Sequence, residues 1–274
     1  MDLTFYNVDQ LCSRVNLTHD RPLIDLSDVT FFRPFALVYL GMFLRYHGYH
    51  AGRGIGFTVQ PPVNDQARAY LAQQNFWERF NFDPASIQGE KLNRFVTSTS
   101  LNDIVDIERR PNIAEEIGNE VTAVLRNSAV SVKVSTVAEV MIELVDNFAG
   151  HSNRSLAAVA MQYYPKPRQV VIAIGDCGIG IRASLASNPR HGYLAQAPHY
   201  KAALDAFEPL VSCKSEGGTG LTIVRDEVAN VNGSFVLATG DGYVKMNNRG
   251  MIEAGPMAYD LPGVQMEIVF PEEP

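Results

Sequence analysis

An apolar run, Val170-Val-Ile-Ala-Ile-Gly175, ends in Asp176 and is followed at once by Gly178 and Gly180. A run rich in β-branched residues and bounded by turn formers reads as a strand. This one spans about Gln169–Gly175, and a second strand at about Leu156–Tyr164 lies before it, across Pro165 and Pro167. A strand that ends in Asp-x-Gly-x-Gly puts a carboxylate at the strand edge. Its glycines let the backbone approach a flat ligand closely. A plain glycine turn, with Asp176 bonded to nearby backbone N–H groups, has the same residues.

Two further segments bear on that choice. Upstream, a helix is expected from about Ser135 to Gly150, with Val137, Met141, Leu144, Val145 and Phe148 as its apolar stripe. Spacing of four puts Glu139, Glu143, Asn147 and His151 along a different face. A carboxylate one turn before an amide can polarise a water and help hold a hard cation. Magnesium prefers oxygen ligands and keeps several waters, so one Asn oxygen plus nucleotide phosphates suffices. A solvated helix face would read the same way, and His151 also suits a helix end beside Gly150. Downstream, Gly217, Gly218 and Gly220 precede an apolar helix from Gly220 to about Val231. Backbone amides and a helix N-terminus can meet phosphate there, with Lys214 nearby to neutralise charge. No Gly-Lys-Ser/Thr follows these glycines, so this is not a Walker loop, and they come too late for a dinucleotide fingerprint. The Asp176 carboxylate can accept a hydrogen bond from an exocyclic amine, which favours adenine over guanine.

Composition narrows the partners. The net charge of −7 over 274 residues, with no basic run, argues against nucleic acid and anionic membrane surfaces. Three cysteines, Cys12, Cys177 and Cys213, have neither an even count nor metal-like spacing, which suits reduced thiols in the cytoplasm. No apolar run reaches the roughly 18–20 residues that span a bilayer, and the start MDLTFYNVDQ has no signal-peptide pattern.

The chain divides into residues 1–85, a connecting segment 86–111 and residues 112–274. In the first part Pro22–Asp28 and Gly54–Gln60 are strand candidates. Pro34 opens PFALVYLGMFLRYHG at a first helical position, and Asn64 caps DQARAYLAQQNFWERF. This alternation predicts an α/β domain with a largely parallel sheet. Residues Lys91–Arg110 fit strand or hairpin material. The second part reads as a helix from Asn112 to Asn127, the Ser135 helix, the two strands, a loop-like Arg182–Ala206, the Gly220 helix, and strands near Ser234–Thr239, Tyr243–Asn247 and Val264–Phe270. That order predicts helices on one face of a mixed sheet.

The segments ELVDNFAGHS, DCGIGI, FEPLVSCK and EGGTGLTIV resemble, in order, the N, G1, F and G2 boxes of the GHKL ATPase superfamily. This group includes histidine-kinase catalytic domains, DNA gyrase, mismatch-repair ATPases and anti-sigma-factor serine kinases. The resemblance covers residues 110–271 and implies a GHKL (Bergerat) α/β sandwich that binds ATP and Mg2+. It implies Glu143 as the water-activating or general-base residue, Asn147 as the magnesium ligand and His151 near the phosphates. Asp176 would read the adenine amine, with Gly178 and Gly180 beside it, and Arg182–Ser215 would form the ATP lid. Lys214 would lie near the phosphates, with Gly218, Thr219, Gly220 and Leu221 along the triphosphate. Histidine kinases usually carry Asn where this chain has Glu143, so the likeness is nearer to gyrase or the anti-sigma kinases. Thr222 also stands where the G2 box usually has glycine.

Residues 1–85 resemble a STAS domain, the anti-sigma-factor-antagonist type, through LIDLSDVTFFRPFALVYLGMFLRYHG, IGFTVQ and LAQQNFWERFNF. The family's phosphoacceptor Ser is replaced here by Arg33-Pro34-Phe35-Ala36. Thr30 is the nearest hydroxyl, and a docking or dimerising module is the expected role. No hairpin with a phosphoacceptor His precedes the ATP segment, since His47 and His50 fall at the end of a short helix. The expectation is a cytoplasmic, ATP-binding signalling protein that hydrolyses ATP slowly or transfers phosphoryl to a protein partner, with a homodimer as one assembly. The alternative is a nucleotide-dependent interaction module without significant catalysis.

Overall fold

The computed structural model describes residues 1–50, 55–74, 76–79, 105–128, 130–152, 156–209, 211 and 220–273. The front segment contains β1 (Asp2–Leu3), α1 (Val8–Ser13), β2 (Leu23–Asp25), β3 (Phe31–Phe32), α2 (Pro34–Arg45), β4 (Thr58–Gln60), α3 (Asp65–Gln73) and α4 (Phe76–Arg79). Pro34 does occupy the first turn of α2, where its missing N–H costs nothing. Asn64 caps α3 through its side chain, which accepts from Ala67 N at 2.9 Å. The expected continuous helix after Asn64 instead divides into α3 and α4. The expected parallel sheet is two separate parallel pairs, β1 with β3 and β2 with β4. The strands are only two or three residues long, too short to recruit further neighbours.

The rest of the chain adds β5 (Val105–Glu108), α5 (Ile113–Asn127), α6 (Val134–His151), β6 (Leu156–Tyr164), β7 (Gln169–Asp176), α7 (Gly180–Ala186), a 3-10 helix (Pro189–Gln196), α8 (His199–Asp205), α9 (Gly220–Asn230), β8 (Ser234–Met246) and β9 (Ile252–Pro271). Most of these follow the sequence reading, but the sheet was expected to be mixed and is not. Its five strands run in the order β5-β6-β7-β9-β8, and every pairing is antiparallel. The tight turns at residues 165–168 and 247–251 leave no room for the long crossover that a parallel pair requires. The two strand candidates at Ser234 and Tyr243 are one long β8, irregular in register around Gly240. Residues 182–206, expected as loop, are mostly helical. Each of these helices is only seven or eight residues long, too short for a 3.6-residue period to repeat visibly.

The expectation of helices on one face of the sheet also needs correction, because both faces are covered. Strand β7 is buried at seven successive positions after Gln169, the mark of a strand enclosed on both sides. Ile172, Ile174, Val159, Met266 and Ile268 belong to one core with α5, α6 and α9. Ala158, Ala160, Ala173 and Cys177 belong to the other, with α2. Every residue of α2 is buried, as expected for a helix that is apolar all round. It lies on the sheet on one side and under α1 on another. Fold class is therefore mixed α/β, with α2 as the back layer of the large sheet.

Polar ties fix that layer. Glu267 on β9 accepts from Phe35 N at 2.9 Å and from Arg33 Nε at 3.1 Å, so a residue distant in sequence caps the N-terminus of α2. Burial pushes the Glu267 carboxyl above the usual range, while the Arg33 guanidinium pulls it back down. Asp9 accepts from Ala258 N at 2.7 Å, and Tyr70 donates to Gln162. Among the described residues, no helix is long and apolar enough to cross a membrane.

Candidate functional site

On the α6 face of the sheet lies a cavity open to solvent, about 890 Å³ counting its mouth. Its walls are apolar, with Leu144, Phe148, Ile174, Ile181, Leu237 and Met266 among them, and Asn147, Ser152, Asp176 and Ser184 are its polar points.

Asp176 is the last residue of β7, and the strand's alternation turns its side chain toward the cavity, as it does Ile174. Its carboxylate is buried and accepts from Gly178 N at 2.6 Å, so the Asx-type turn foreseen as the plain reading of this loop is present too. The glycines are required by close approach. A Cβ on Gly178 would collide with the Ser152 carbonyl, and Gly180 has φ +74°. Ile179 N donates to that same Ser152 carbonyl at 3.1 Å, joining the end of α6 to this loop.

Glu143 and Asn147 stand one turn apart on α6. A Cβ added to Gly220 would lie 3.1 Å from Glu143 Oε2 and from Asn147 Nδ2, so both side chains converge on the start of α9. Thr136 reinforces that seat by donating to Glu227 of α9 at 2.9 Å. Gly220 and Leu221 line the cavity, which places the first N–H groups of α9 at its edge. Thr222 and Arg225 both donate to the Phe207 carbonyl, at 3.3 and 2.7 Å. The Thr222 hydroxyl, in the position where the G2-like segment usually has glycine, thus ties α9 to Phe207, two residues past α8.

The structure therefore brings together Glu143, Asn147, Asp176, Gly178, Gly180, Gly220 and Leu221. Lys214, Gly218 and Thr219 lie outside the described residues, as does Cys213. His151 ends α6, but its side chain also lies outside the description. Cys12 and Cys177 are buried free thiols. Thr30 donates to Asp2 at 3.0 Å, and His47 is buried against the Tyr259 hydroxyl at 2.6 Å.

Sequence reasoning missed Thr239, Gly263 and Gln265. Thr239 accepts from Ile181 N at 3.2 Å and donates to the Gly263 carbonyl at 2.8 Å, which fixes the start of α7. Gly263 has φ +96°, and a Cβ there would collide with the Asp176 carbonyl. The only signal was a glycine after Pro262 inside a strand run, a common mark of close backbone approach.

The residues present fit a magnesium–nucleotide complex. Asn147 Nδ2 is a buried donor with no hydrogen-bond partner among the described residues, so it is open to an acceptor such as a phosphate oxygen, and the amide oxygen is the atom that would hold a magnesium ion. Glu143 supplies hard oxygens beside it. Among the described residues there is no group of three His, Cys, Asp or Glu side chains for a metal, and a phosphate-borne magnesium needs none. The chain matches no family model and no curated protein.

Proposed function

We propose that the chain binds Mg-ATP in this cavity as a GHKL-type signalling protein, with slow hydrolysis or phosphoryl transfer to a protein partner. One observation carries the reading. Asp176, Asn147 and the Gly220 start of α9 come from three distant segments, yet they line one cavity, and Glu143 stands beside Asn147 against Gly220. In this reading the apolar walls hold the base and Asp176 accepts from the adenine amine. The α9 N-terminus and the glycines before it meet the phosphates, and Asn147 holds the magnesium. Magnesium, when bound, offsets the charge that develops on the transferred phosphoryl group. Glu143 orients a water or hydroxyl nucleophile and takes its proton as the terminal P–O bond breaks. The front segment, STAS-like in its sequence, serves as the protein-docking or dimerising part.

Calorimetric titration with ATP and magnesium tests this directly. Asp176→Ala is expected to weaken ATP binding about 10- to 100-fold, as for a lost hydrogen bond to a charged group. Unchanged affinity would remove Asp176 from the base site. Glu143→Ala should keep binding and slow turnover about 10²- to 10⁴-fold. Radiolabelled ATP recovered bound and uncleaved from the native protein would favour the interaction module over the enzyme.

A further inference from the structure

Gln265 is 0 % exposed, yet its side chain lies on the sheet face opposite the cavity. There it packs beside Gly175, where a Cβ would stand 3.1 Å from Gln265 Cγ and 3.3 Å from Met42 Cγ of α2. From behind the sheet, Gln265 Nε2 donates to the Asp176 carbonyl at 2.9 Å and to the Pro262 carbonyl at 3.3 Å.

The strand register explains why this bond exists. The β7–β9 ladder runs from Gln169 opposite Pro271 to Gly175 opposite Gln265 and stops there, whereas β6 continues to pair with Asp176 through Ala157. Beyond Gln265 the β9 chain bends at Gly263, and the β7–β9 register does not extend to Asp176. The Gln265 amide reaches the Asp176 carbonyl just past the end of that ladder. The arrangement is costly: Gln265 Oε1 is buried with no partner among the described residues. An apolar residue would avoid that cost but would lose the N–H that meets the Asp176 carbonyl.

We propose that Gln265 is a positioning residue of the nucleotide site, holding the Asp176 main chain so that its carboxylate meets the base amine, and thereby setting base selectivity. The inference rests on the ATP reading given above. Asp176 follows Gly175, which has no side chain to anchor it, and leads into Gly178 and Gly180. The hydrogen bond from behind holds the strand end of this stretch, whereas the bonds of Gly178 N, Ile179 N and Ile181 N hold the loop beyond it. Selectivity should depend on it more than phosphate binding does, because the phosphates are met elsewhere, at α9.

The test compares ATP with inosine triphosphate, which has an oxygen in place of the amine, by calorimetry on the full chain with magnesium. The native protein is expected to prefer ATP about tenfold or more. Gln265→Met keeps the volume and removes the donor, and the preference should fall at least about fivefold with inosine triphosphate affinity little changed. Tyr70→Phe, which removes a partly buried hydrogen bond to Gln162 on the same side of the sheet, controls for general destabilisation and should leave the preference intact. If Gln265→Met fails to fold, Gln265→Asn replaces it, with the amide one methylene short of the carbonyl and the same loss expected. A native preference that survives both Gln265 variants overturns the positioning role and leaves the ATP reading standing. A native protein that binds neither nucleotide overturns both.

Discussion

The two faces of the large sheet share strands but do opposite work. Along β7, Ile172 and Ile174 face α6 and the cavity, while Ala173 and Gly175 face α2. Along β6 the same alternation sets Val159 and Met161 against Ala158 and Ala160. Large side chains hold the first face's helices off the sheet and leave space between them. Small ones let α2 approach closely, so that a Cβ on Gly175 would come 2.5 Å from Val38 Cγ1. A sheet can thus build a pocket on one side and a close-packed seat on the other through residue volume alone.

If that is right, removing bulk should harm one face and adding bulk the other. Ile172→Ala, on the cavity face, is expected to cost about 2–5 kcal/mol in urea unfolding. Its neighbour Ala173→Leu, under α2, should cost about 1–3 kcal/mol by overpacking. A neutral Ala173→Leu would break the comparison, since it would mean that α2 is not seated tightly.

The tie between α2 and the sheet can be read from pH. Burial raises the folded-state pKa of Glu267, so the folded chain holds this proton more firmly than the unfolded chain does. Its stabilising contribution is full below the ordinary glutamate pKa and is lost as pH rises through the raised folded value. Glu267→Gln, which keeps an acceptor for Phe35 N, should remove that loss. The stability gap in favour of the variant should therefore widen across that window in unfolding titrations at stepped pH. A gap independent of pH would show that Arg33 fully offsets the burial of the carboxylate. The smallest stability effect is expected at Ser184, on the wall of the cavity. Ser184→Leu fills empty space, so stability should change by only about 0.5 kcal/mol, while ATP binding should fall steeply in the same calorimetric assay.

Much of this was legible in one dimension. The α6 stripe, the Asn64 cap, Pro34 at the head of α2 and the β6–β7 pair follow from local chemistry that acts within a few residues. The antiparallel order of the sheet was not legible, because it depends on which strands meet. The short helices between Gly180 and Asp205 were hidden because each spans about two turns. Gln265 and Thr239 gave no signal, since their partners, the carbonyls of Asp176 and Gly263, are 89 and 24 positions away.

The sequence alone determined the parts: an apolar strand ending in Asp176 and two glycines, a helix with Glu143 and Asn147 one turn apart, and a helix begun by Gly220. These are consequences of side-chain periodicity and backbone freedom, which are local. Only the tertiary structure decided that the three meet at one cavity and that α2 closes the sheet from behind. It also decided that a glutamine on the far face bonds the Asp176 main-chain carbonyl. Those outcomes follow from long-range packing of large against small residues across a sheet, which no local pattern encodes.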